Sequence, residues 1–142
     1  MGRNGEIMRS NIIIILSLFS VLFGCSDDYS NLPQMSVDFS WLKDQKCFDE
    51  RSPNIALKNI PSSTKSFQIT MYDLDNRYDH GGGTVPFKGS DVIAEGSLKE
   101  YKGPCPSYGS PRYQLTVKAI DENGKIIAIG KLTKKFPPED KR

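Results

Sequence analysis

One histidine, one tryptophan and three cysteines in 142 residues leave little material for catalysis or metal chemistry. No Cys-x-x-Cys occurs, which removes the common dithiol redox motif. No Gly-x-Ser-x-Gly occurs either, so the serine hydrolase elbow is absent. The longest apolar run, Ile12 to Phe23, falls short of the about 20 residues a membrane-crossing helix needs. Glycine and proline make up 21 of the 142 residues and punctuate the chain so often that no long amphipathic helix fits. There is no dense basic stripe: 19 Lys and Arg are interleaved with 17 Asp and Glu, which argues against nucleic acid as a partner.

What is present begins at the N-terminus. Ile12 to Phe23 is apolar apart from Ser17 and Ser20 and follows Arg3 and Arg9. Its length of about a dozen residues suits the h-region of a secretory signal. Leu22-Phe23-Gly24-Cys25 then resembles the lipobox of lipid-modified exported proteins rather than an A-x-A-like cleavage site. The expectation is a leader over 1–24, lipidation of Cys25, and a lipidated N-terminus with spacer over 25–36. Several acyl chains on one cysteine supply the stable membrane anchoring that a single chain does not. This places the protein in a bacterial cell envelope. Ser26 after the cysteine, by the same lipoprotein resemblance, implies the outer membrane, facing the periplasm. Loss of 1–24 removes two arginines and one glutamate, so the formal charge falls from +2 to +1.

With Cys25 consumed, Cys47 and Cys105 form an even pair in an oxidising compartment, where a disulfide is expected. These two and His80 are too few for a structural zinc site, which takes four ligands, so neither a metal nor another cofactor is expected. The mature chain suits one domain over 37–136, with a flexible tail at 137–142. Carboxylate pairs Asp27-Asp28 and Glu139-Asp140 fall in the ends, where nothing would tune a pKa.

Between the ends the hydrophobic period is two. Phe67, Ile69 and Met71 alternate with polar residues over Lys65–Tyr72, and Tyr113, Leu115, Val117 and Ala119 do so over Tyr113–Ile120. Asp121-Glu122-Asn123-Gly124 supplies a hairpin turn, with Asn-Gly tolerating positive φ and Lys125–Lys131 returning antiparallel. Shorter strands are expected at Val37–Trp41, Asn54–Leu57, Thr84–Phe87 and Val92–Glu95. Phe39, Trp41, Phe67, Tyr72 and Tyr113 fall at strand spacing and are expected in the core. The fold class is therefore all-β, a nearly helix-free, antiparallel two-sheet sandwich.

Two ordered blocks carry a further resemblance. Ser52-Pro53-Asn54-Ile55-Ala56-Leu57, Pro61, Thr64-Lys65-Ser66-Phe67 and Asp73-Leu74-Asp75 form the first. Tyr101-Lys102-Gly103-Pro104-Cys105-Pro106-Ser107-Tyr108-Gly109, Arg112-Tyr113 and Ala119-Ile120-Asp121 form the second. Together they resemble the phosphatidylethanolamine-binding protein family over about half of the mature domain. The resemblance implies a Greek-key β-sandwich with a small pocket for a phosphate-like anion. It also implies that Asp73, Asp75, Gly103, Pro104, Arg112 and Tyr113 belong to that pocket, with His80 as its imidazole. Pro111 stands where that family places a second histidine, Leu74 replaces a proline, and the C-terminal helix of larger members has shrunk to the Glu122–Gly124 turn. An aspartate beside an imidazole favours its charged form, which donates a charge-assisted hydrogen bond to an anion. The alternative assigns Asp73 and Asp75 to a turn and Tyr113 to packing.

His80-Gly81-Gly82-Gly83 matches an oxyanion-hole motif of some esterases. The necessary serine elbow and a second histidine are missing, so the glycines are expected in a loop linking two strands. The functional expectation is a lipid-anchored, non-enzymatic binding protein for a small anion or phospholipid headgroup. The alternative is a protein-interaction or protease-inhibitor module with a protein partner and a vestigial pocket. Lys131, Lys134 and Lys135 are expected to meet lipid headgroups or to guard a sheet edge.

Overall fold

The computed structural model describes residues 28–138, so the leader, Cys25 and the 139–142 end of the tail lie outside the described residues. Seven strands form: β1 (Ser36–Phe39), β2 (Ile55–Lys58), β3 (Ser66–Asp73), β4 (Tyr78–Pro86), β5 (Val92–Ile93), β6 (Arg112–Ile120) and β7 (Ile126–Lys135). No helix occurs among the described residues. The strands make two antiparallel sheets, ordered β1-β2-β5 and β4-β3-β6-β7.

The period-two pattern explains the packing. Val37, Phe39, Ile55 and Leu57 point inward from the smaller sheet. Phe67, Ile69, Met71, Tyr113, Leu115, Val117 and Ala119 point inward from the larger one, and both rows join a single core. Register is fixed because a one-residue slip would turn every one of these side chains to water. Trp41 is half-buried, set edge-on to Phe39, Tyr113 and Phe136, with its indole N–H donating to the carbonyl of Lys135 at 2.8 Å. Tyr72, expected in the core, is 40% exposed because it falls on the outward phase of β3.

Further expectations are corrected. Residues 33–35 are part of the fold rather than spacer: Met35 is buried, its N–H donates to the Ile129 carbonyl, and the Ile129 N–H donates to that of Pro33. These bonds cover the outer edge of β7. Gly81, Gly82 and Gly83 lie within β4, not in a loop between strands. Cβ atoms built on Gly81 and Gly82 would overlap the carbonyl oxygens of Glu100 and Ile69, and all three glycines have φ between 71° and 156°. At Gly81 the close approach is made by the segment 100–102, whose Glu100 and Lys102 N–H groups donate to the Gly82 and His80 carbonyls and cover the β4 edge, and at Gly82 it is made by β3. The β6–β7 turn uses positive φ only at Gly124, while the Asp121 carboxylate accepts from the Asn123 and Lys125 N–H groups. β7 also runs four residues beyond its expected end.

Candidate functional site

At one end of the larger sheet the inward rows cease to be apolar. Asp73 continues the row of Phe67, Ile69 and Met71, and it is the direct cross-strand partner of Tyr113. A bulge in the β3–β4 pairing between Thr70 and Tyr72 resets the register of β4 beside them, and His80 turns inward there. The three side chains are 3%, 1% and 3% exposed for Asp73, Tyr113 and His80, so the fold buries their polar atoms together at the mouth of the core. They line a cleft of about 560 Å³ that the loop from Cys105 to Pro111 walls on one side and Phe48 on another.

The loop is held by several ties. Cys47 and Cys105 are bridged, with their Cα atoms 4.4 Å apart, and the bridge joins the Phe48 segment to the cleft wall. Gly103 donates its N–H to the carbonyl of Asp49 and packs so closely on Gln45 and Asp49 that a Cβ there would collide. Asp49 is in turn bonded by Arg51, which holds its carboxyl at about 2. Gly103 and Pro104 are buried in this support and do not line the cleft.

Asp73 does not hold the imidazole. Its Oδ1 accepts the N–H groups of Asp75 and Asn76, each at 2.9 Å, and its Oδ2 accepts from the Asn76 amide at 2.8 Å. It organises the turn after β3, as the alternative reading had it, while also lining the cleft. Burial first, and then the Asp73 carboxylate, raise the Tyr113 hydroxyl above its ordinary value and keep it a neutral donor. Asp75 is engaged twice by Arg112, through the backbone N–H at 2.7 Å and the guanidinium at 2.7 Å. That pair lowers the Asp75 pKa, and Arg112 itself lies outside the cleft lining. Asp73 has no ion-pair partner among the described residues.

His80 is oriented by backbone. Its Nδ1 lies 2.8 Å from the Lys102 carbonyl, which can only accept, so Nδ1 carries the proton. Nε2 has no hydrogen-bond partner among the described residues, and in the neutral ring it is an acceptor. The ring sits edge-on to Tyr78 at 4.8 Å and to Tyr113 at 5.2 Å, with Phe48 at 6.3 Å. The Ser110 hydroxyl, on the wall, is buried without a partner.

Phe48, Tyr78, Tyr108 and Ser110 were missed in the sequence. The signal for Tyr78 was available, since it stands two residues before His80 on the same strand. Phe48 follows a cysteine in a segment without periodicity, and only the bridge to Cys105 brings it in. No three or more His, Cys, Asp or Glu side chains are grouped to hold a metal among the described residues.

Fold and site together define a two-sheet all-β protein with an aromatic, carboxylate-bearing cleft at one open end. Comparison with protein-family models finds no match, and no curated protein matches the chain.

Proposed function

We propose that this chain is an exported, lipid-anchored binding protein, a short relative of the phosphatidylethanolamine-binding family, that recognises a small anion or phospholipid headgroup without catalysing a reaction. The observation that carries this reading is the convergence of Asp73, His80 and Tyr113, from three strands, on one cleft. The lipid-anchored part of the reading rests on the Leu22–Cys25 motif.

The chemistry of binding follows from the unsatisfied groups. The Ser110 hydroxyl is a donor left without an acceptor, and a phosphate oxygen would satisfy it. Protonated His80 would donate from Nε2 while Nδ1 stays on the Lys102 carbonyl. Only the imidazolium can donate there. The Tyr113 hydroxyl in the cleft is kept protonated, chiefly by burial and then by the Asp73 carboxylate, and so is available as a donor.

The test is an NMR titration of isotope-labelled protein with inorganic phosphate and with phosphocholine. The reading expects shifts confined to His80, Ser110, Tyr113 and their neighbours. A flat response to both compounds, with a protein partner co-purifying instead, would replace it with the interaction-module reading.

A further inference from the structure

We infer that the cleft takes an organic ammonium group, held against its aromatic rim. This deepens the binding reading above by naming the charge of the ligand end that the rim selects. Three of the five large apolar side chains most exposed among the described residues, Phe48 at 48%, Tyr78 at 43% and Tyr108 at 86%, rim this one cleft. Exposed aromatic rings are costly to leave in water, and their convergence marks a contact surface. Ring faces carry negative potential and attract cations.

The charges in the cleft point the same way. No lysine or arginine lines it. Asp75 is offset by Arg112, and Lys135 also lies near it. Asp73 is buried with no ion-pair partner among the described residues; its carboxylate is held by N–H and amide donors and lines the cleft. His80, itself 97% buried, keeps Nδ1 on the Lys102 carbonyl and sets its ring edge-on to that of Tyr78. A carboxylate on the floor below a rim of π faces, with no lysine or arginine in the lining, is complementary to a cation. An alkylammonium group fills both requirements: its charge answers Asp73 and its carbon surface meets Phe48 and Tyr78.

The probes are tetramethylammonium chloride, sodium phosphate and phosphocholine, followed by calorimetry. A second readout is the fluorescence of Trp41, whose ring lies 5.7 Å from that of Tyr113. Tetramethylammonium is expected to bind and to compete with phosphocholine. Phe48→Ala and Tyr78→Ala, both at exposed rings, should weaken ammonium binding about 5- to 30-fold, the range of a cation–π contact. Tyr72→Ala, an exposed ring outside the cleft, should leave it unchanged. Competition by phosphatidylcholine vesicles would assign the ammonium to a membrane headgroup, and competition by soluble phosphocholine alone would assign it to a free ligand. Phosphate binding with no response to tetramethylammonium overturns the ammonium inference and leaves the binding reading intact. Ammonium binding that ignores the Phe48 and Tyr78 substitutions also overturns it, and silence from every probe sinks both.

Discussion

Asp73 shows how one residue serves fold and site together. Its carboxylate gathers two backbone N–H groups and one side-chain amide into the turn after β3, and the same group faces the cleft. Asp73→Ala would strand these partners and should cost about 2–3 kcal/mol in urea unfolding, because buried donors left unpaired are expensive. Asp49 acts through the wall. The bonded Arg51 holds its carboxyl at about 2, below the ordinary 3.8, so its stabilising contribution is complete above 3.8 and is lost as pH falls through about 2. In Asp49→Asn the fall in melting temperature on acidification should be smaller than in the parent. At this scale Asp73 and Tyr113 were singled out through the family resemblance, and the period-two row also turned Tyr113 inward. The partner of His80 was not legible, because Lys102 contributes a backbone carbonyl and no side-chain letter announces it.

Among the elements, β4 departs most from its sequence. Three consecutive glycines suggest a loop, yet they form a strand because two neighbouring backbones approach too closely for any side chain. Gly82→Ala should destabilise by about 3 kcal/mol or more, since it adds strained φ to direct overlap with the Ile69 carbonyl. Gly89, with φ 85° and nothing within 4 Å of an added Cβ, should lose only about 1 kcal/mol as Ala. Chemical denaturation of the two variants measures the difference. β3 and β6 were legible almost to the residue because each buries one face against a continuous core. β7 extends further than its pattern suggests, since Asp38 of β1 and Trp41 just beyond that strand engage its last residues. Such support from distant residues has no local signature. The edge of β7 is covered by residues 33–35, so a chain beginning at Ser36 should self-associate, visible by light scattering.

For the whole molecule, the disulfide and the chain entry decide how the cleft is presented. The Cys47–Cys105 bridge closes a separation of 58 residues, which the chain-entropy model equates with about 4 kcal/mol. Cys47→Ser with Cys105→Ser should lose about that much in thermal or urea unfolding and should loosen Phe48 from the cleft wall. The chain joins the fold remote from the cleft. Tyr29 lies over Lys118, five residues along β6 from Tyr113 and about 17 Å at strand rise. Under the proposed anchor at Cys25, the tether therefore joins the fold away from the cleft. Incorporation of a labelled fatty acid, abolished in Cys25→Ser, checks the anchor. The two-sheet architecture was legible from periodicity alone, while the rim was not, because Phe48, Tyr78 and Tyr108 come from three segments joined only in space.

The most direct measurement is a crystal structure grown with saturating phosphocholine. The account requires the trimethylammonium group to lie against Phe48 and Tyr78, with the phosphate within hydrogen-bond reach of Ser110. Ligand density elsewhere on the protein, or an unfilled cleft at saturation, would contradict it.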